Sequence, residues 1–127
     1  MRNIKFRAWD KEDKKMYQVA HINNLLTVGK YVSVRKNEDN AIVKIERDLE
    51  EDSFELMQFT GEVSRDKKEV YEGDIIEYRF EDGGAYSTPM KGVVKFSQGR
   101  FECPYGIGEV VIFRVLGNIY ENAGLIK

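Results

Sequence analysis

Glu72-Gly73-Asp74, in the stretch VYEGDIIEYRF, sets two carboxylates on either side of a glycine. Carboxylates that close could share general acid–base work if another acid converged with them in a pocket. The same residues also spell a turn. An aspartate after glycine commonly accepts hydrogen bonds from nearby backbone N–H groups and fixes the start of a strand. That structural role explains the residue type without a reaction. Nucleophilic catalysis would need Cys103, the single cysteine, or a serine with a base beside it. His21 is the single histidine and is far from Cys103 in sequence, while Cys103 ends a strand pattern and reads as a small apolar residue. One Cys and one His do not complete a zinc site without several carboxylates. The acidic run Glu50-Glu51-Asp52 lacks the spaced oxygen ligands and turn glycine of a calcium loop, so it reads as a solvated linker. GIGEVV has the glycines of a phosphate cradle, but it opens a strand and no lysine follows. No catalytic residue, metal ligand or cofactor is assigned on these patterns, and the chain reads as a non-enzyme.

Binding chemistry has more to work with. In KFRAWDK, Lys5, Arg7 and Lys11 surround Phe6 and Trp9, an interleaving that suits nucleic acid. The bland alternative is a strand with Phe6 inside and the charges wet, which leaves Trp9 alone unexplained. Arg7, Trp9, Tyr71 and Tyr105 are the candidate contacts for a protein partner, being an arginine and aromatics of the kind enriched at interfaces.

These residues need elements to hold them. The chain has 127 residues, enough for one domain, or a domain with an appendage, to bury a core without disulfides. Hydrophobic residues make up 42% and charged residues 33%, with a formal net charge of -2. A protein built to coat DNA would be clearly basic, so wholesale phosphate binding loses weight, although a local basic patch does not. A lone cysteine suits a reducing compartment. The start, MRNIKFRAWD, has no apolar signal core, and no run is apolar enough to span a bilayer. The expectation is a soluble cytoplasmic protein with no membrane partner.

Strand patterns dominate. IKFRAW and MYQV flank the charged loop DKEDKK and predict a hairpin. HINNLLTVG fits either a short helix or a strand. YVSVR and AIVKI flank KNEDN and predict a second hairpin. ERDLEEDS, Glu46 to Ser53, is acidic and is the expected internal boundary. FELMQFTG reads as a strand ending at Gly61, and EVSRDKKE as a polar loop. Beyond Gly73-Asp74, residues Ile76, Tyr78 and Phe80 alternate with Glu77, Arg79 and Glu81. Asp82-Gly83-Gly84 ends that strand, and Ser97-Gln98-Gly99 turns GVVKF into RFEC. VVIFRVL is nearly continuous apolar and is expected to be the most buried strand, with Gly117-Asn118 as the turn after it. Pro89 and Pro104 both fall in loops. Short strands at regular spacing between glycine turns argue a small barrel.

IKFRAWD near the start, ELMQFTG followed by VYEGDII in the middle, and VLGNIYEN near the end resemble the YopX family of small phage and prophage proteins. The blocks stand in the family's order and reach both ends of the chain. The resemblance implies a mostly β protein with a C-terminal SH3-like barrel and a phage or prophage origin in a bacterial host. It implies no activity. Where family members often carry a Lys-Asp-x-Asn-Gly type turn, this chain has EVSRDKKEVYEGD, and Ala123-Gly124 replaces a common Pro-acidic pair.

The combined expectation is mainly β: a small N-terminal β subdomain with an acidic linker over 1–53, then an SH3-like β-barrel over 54–127. Ile76, Tyr78, Phe80, Val94, Phe96, Phe113, Val115 and Ile119 are expected to face inward, and Gly73, Asp74, Gly83, Gly99, Gly117 and Asn118 to shape turns. The first functional expectation is a non-catalytic interaction module that binds a protein partner or itself. The second is a nucleic-acid binder using the basic N-terminal strand, which the near-neutral charge disfavours. A carboxylate enzyme comes third.

Overall fold

Period-two alternation turns nearly every patterned stretch into a strand, and the computed structural model is mainly β. It describes residues 4–25, 29–35, 42–47 and 54–126. Two compact units emerge, one over Lys5–Gln58 and one from Phe59 onward. The acidic stretch expected to hold the boundary lies outside the described residues from 48 to 53; the division falls at Phe59, inside a strand.

In the first unit, β1 (Phe6–Asp10), β2 (Lys15–Leu25), β3 (Gly29–Arg35) and β4 (Ile42–Arg47) form an antiparallel meander. The first part of β5 (Phe54–Val63) pairs along the other side of β1, from Phe6↔Gln58 to Asp10↔Phe54. Both predicted hairpins are present. HINNL continues β2 as strand, with a register shift between Val19 and His21. The β1–β2 loop is shaped by Asp10, which is fully buried; its Oδ1 accepts the N–H groups of Glu12 at 3.0 Å and Asp13 at 3.3 Å. That side chain satisfies backbone donors the hairpin leaves unpaired. Ala8 and Tyr17, cross-strand partners, are buried, and so is Met57, which lies opposite Arg7.

The second unit starts in the latter part of β5, which pairs with β6 (Glu69–Tyr71). A bulge between Phe59 and Val63 includes Gly61, whose φ is 90°, so the strand bends there and runs to Val63 rather than ending at the glycine. Next come β7 (Asp74–Arg79), the two-residue strands β8 (Glu81–Asp82) and β9 (Ala85–Tyr86), then β10 (Met90–Val93), β11 (Lys95–Ser97), β12 (Arg100–Glu102) and β13 (Val111–Asn118). Strand β7 lies between β10 and β13 in a three-stranded antiparallel sheet. Hairpins β8–β9 and β11–β12 project as separate pairs. Val70, Ile76, Tyr78, Val94, Cys103 and Ile112 form the core.

Gly73-Asp74 is the corner of this unit. Gly73 has φ 83°, a left-handed conformation that costs a side-chain-bearing residue about 1–2 kcal/mol. Its N–H donates to the Val94 carbonyl at 2.8 Å, and its carbonyl accepts the Ile119 N–H at 2.9 Å. Asp74 is 1% exposed; its carbonyl accepts the Val94 N–H at 2.9 Å and its Oδ2 accepts the Tyr71 N–H at 2.8 Å. One dipeptide thus ties together the end of β6, the start of β7, the β10–β11 junction and the end of β13.

Several expectations change. Among the described residues β7 buries more side chains than VVIFRVL does: Ile75, Ile76, Tyr78 and Asp74 are all buried, whereas β13 buries only Ile112 and Asn118. The central strand is paired along both edges, and β13 flanks it with two register shifts. The first shift, between Ile112 and Arg114, places Phe113 outside the core and leaves the inward position to Ile112. Phe96 is 55% exposed rather than inward, because the strand breaks at Val94 and β11 pairs only with β12. Phe80 and Ile119 are half-buried, and Val115 packs against the core. Gly117 does not turn; it stays in β13 at the second shift. The turn follows Asn118, whose Oδ1 accepts the Tyr120 N–H at 3.0 Å and the Glu121 N–H at 2.9 Å. Gly83 and Gly99 do sit at hairpin turns with positive φ.

Candidate functional site

The bulge in β13 decides what the outer surface of the second unit carries. Arg79 alternates with the buried Tyr78, so it points away from the core. Ile112 lies opposite Tyr78 and Arg114 opposite Glu77, so Phe113 is the extra residue of the bulge. Its ring lies 4.5 Å from the Arg79 guanidinium carbon and 5.0 Å from that of Arg65. Arg65 also lies 5.0 Å from the Tyr86 ring, and Tyr86 packs edge-on against Phe113 at 5.1 Å. Glu77 contacts Arg79 at 3.4 Å and Arg114 at 3.5 Å. The result is a contiguous face of three arginines, two aromatic rings and one carboxylate.

Local structure brings Arg65 there. Ser64 opens a tight turn: its N–H donates to Lys68 O at 2.8 Å, Lys67 N–H returns to Ser64 O at 2.9 Å, and the Ser64 hydroxyl bonds the Asp66 carboxylate. Lys67 takes φ 68°. The Arg65 N–H then donates to Ile112 O at 3.0 Å, so the turn is fastened to β13 beside the bulge.

A second surface is aromatic. Phe96 and Phe101 face each other across the β11–β12 hairpin with ring centroids 5.1 Å apart. The following loop presents Tyr105, 45% exposed, edge-on to Phe80 at 4.8 Å and to Tyr78 at 6.3 Å. Cys103, fully buried beneath this loop, donates its thiol to Tyr105 O at 3.3 Å. Burial pushes the Cys103 thiol pKa up, and the Tyr78 hydroxyl is likewise raised, chiefly by burial. A buried thiol held in its neutral form is a poor nucleophile. The side chain of His21 lies outside the described residues.

The candidate contacts therefore separate. Tyr105 is exposed. Arg7 and Trp9 are half-buried on β1. Tyr71 is 3% exposed and packs against Phe59 at 5.5 Å, so it belongs to the interior and not to a contact surface. Lys11, part of the basic N-terminal pattern, forms an ion pair with Glu55 at 2.9 Å. The sequence pattern missed Arg65, Arg79, Tyr86, Phe113 and Arg114 as a group. The only available signal was the outward alternation of Glu77 and Arg79; the bulge that adds Phe113 to them has no sequence signature. Among the described residues, no group of three His, Cys, Asp or Glu is placed to hold a metal ion, and no helix is long and apolar enough to cross a membrane.

The YopX protein family matches residues 5–127. The chain belongs to the YopX family. Its fold is shared by the crystal structure of protein EF1440 from Enterococcus faecalis, with TM-score 0.62 and 21% identity over 100% of both chains. No curated protein matches it. The YopX match spans both units, so the N-terminal meander and the C-terminal strands are both parts of the family's architecture.

Proposed function

We propose that this YopX protein is a non-catalytic interaction module. Its C-terminal unit, in this reading an SH3-like barrel, binds a protein partner through the aromatic surface of the β11–β12 hairpin and the loop after it. One observation carries the proposal: Phe96 is 55% exposed although the unit has a core to receive such a ring. Tyr105 adds a second exposed ring, and Lys95 and Arg100 supply a charged border. Exposed aromatics with a polar rim are the composition of interface centres. The reading keeps the phage or prophage origin and the bacterial cytoplasm as its setting.

The test is a pair of alanine substitutions, Phe96→Ala and Tyr105→Ala, assayed by affinity capture from host lysate and by thermal unfolding. Loss of a captured protein with the melting temperature kept within a few degrees supports the proposal. Capture unaffected by both substitutions overturns it. The carboxylate reading would need Asp74 to act chemically, and its side chain instead accepts a backbone N–H at the corner.

A further inference from the structure

The interaction module accounts for one surface and leaves the arginine face unexplained. Arg65, Arg79 and Arg114 gather around Phe113 and Tyr86, with Glu77 as the only carboxylate contacting them among the described residues. Glu77 serves Arg79 and Arg114 at 3.4 and 3.5 Å, which are long ion pairs. Arg65 makes no ion pair among the described residues and meets only aromatic rings. Contact with a ring orients a guanidinium without neutralising it. The Arg79 Nε is buried with no hydrogen-bond partner, since its guanidinium packs on Phe113. The face therefore carries a surplus of positive charge on a rigid support: a bulged strand, its central neighbour and a turn bonded to Ile112 O.

We infer that this face binds single-stranded nucleic acid. Proteins that hold single strands combine cations that track phosphates with aromatic rings or guanidinium planes on which bases stack. Both parts are here, with Arg65 and Arg114 exposed and Tyr86 38% exposed at the rim. Lys67 and Lys68, exposed in the turn beside Arg65, extend the positive field. Two acidic groups adjoin it: Asp66, next to Arg65 in the turn, is bonded by the Ser64 hydroxyl, and Glu81 lies opposite Tyr86 in the β8–β9 hairpin. The net charge of -2 belongs to the whole chain, whereas the local field at this face is set by Arg65, Arg79, Arg114, Lys67 and Lys68 around Glu77. Duplex binding is disfavoured by the small patch, which contacts too few phosphates. The site differs from the N-terminal strand first considered, where Lys11 is paired with Glu55.

The experiment uses the full chain and a fluorescein-labelled oligothymidylate, followed by anisotropy at low salt. The expected result is saturable binding that weakens with salt, at a log–log slope of about -2 for three phosphates on a single strand. Arg65→Glu with Arg114→Glu should lower affinity at least about tenfold, the cost of reversing two phosphate contacts. Lys95→Ala with Arg100→Ala, on the aromatic hairpin, should leave it unchanged. Tyr86→Ala should weaken binding with little change in the salt slope, which marks stacking. Absence of binding at low salt overturns the proposal, as does binding that the Arg65/Arg114 reversal does not affect. Equal competition by a polyglutamate peptide also overturns it, because the face would then be a site for acidic protein segments. Capture unaffected by Phe96→Ala and Tyr105→Ala, with DNA binding retained, would remove the protein-partner reading and leave this one standing.

Discussion

Asp74 and Cys103 look like reagents in one dimension and are structural in three. The Asp74 carboxylate accepts the Tyr71 N–H in a site where water does not reach. Asp74→Ala leaves that donor unsatisfied and should cost about 1–3 kcal/mol, measured by urea unfolding, whereas Asp74→Asn should cost less because an acceptor oxygen remains. Cys103 gives a pH prediction. Its thiol pKa is raised in the folded state, chiefly by burial, so the folded chain holds that proton to higher pH than the unfolded chain. The stability this contributes is fully present below the unfolded thiol pKa of roughly 8.5 and is lost as pH rises through the folded value. Tyr78, also raised by burial, adds a second loss that begins above roughly pH 10. Unfolding midpoints measured across alkaline pH should fall, and Cys103→Ala should remove the earlier part of the fall. An alkyl halide should modify Cys103 slowly in the native protein and quickly in denaturant.

At the scale of elements, two predictions separate turn chemistry from close approach. The β11–β12 hairpin turns on Gln98-Gly99, with φ 52° and 81°, between the paired Ser97 and Arg100. Two successive positive φ values are the signature of a turn that favours Asn-Gly. Gln98→Asn should raise stability by about 0.5–1 kcal/mol. Gly92, in β10, has no positive φ; its constraint is space. A Cβ there would stand 2.0 Å from the Cys103 carbonyl oxygen and 3.1 Å from the Tyr78 ring. Gly92→Ala should cost about 3 kcal/mol, the upper range for overpacking, because the obstacle is backbone. Both are read from denaturant curves. Periodicity made most strands legible, and glycines marked three turns correctly. Burial was less legible: VVIFRVL looks like a central strand because apolar density does not encode position in a sheet. The partners on either side of β7 do.

For the whole molecule, the quantity that matters is mass in solution. A second copy of the chain is one protein that the exposed hairpin could hold. Light scattering across a concentration series should then show association that Phe96→Asp abolishes, with unchanged circular dichroism. A constant monomer mass would assign the hairpin to a different protein. Family membership was legible from short blocks at the start, middle and end of the chain, and the match over residues 5–127 agrees with it. The candidate surfaces were legible only in part. Tyr105 was named from composition and is exposed, while Tyr71, named on the same ground, is buried against Phe59.

What the sequence by itself determined is the local grammar: alternating strands, a glycine corner at Gly73-Asp74, hairpin turns, and membership of a family. These depend on residues near each other in the chain, so a linear pattern carries them. Tertiary structure decided which side chains share a surface. Arg65, Arg79, Tyr86, Phe113 and Arg114 come from a turn and three separate strands, and a one-residue bulge in β13 sets Phe113 among them. Phe96 stands outside because its strand leaves the sheet at Val94. Such outcomes depend on register and on the number of neighbours, which are properties of paired strands and not of any one of them.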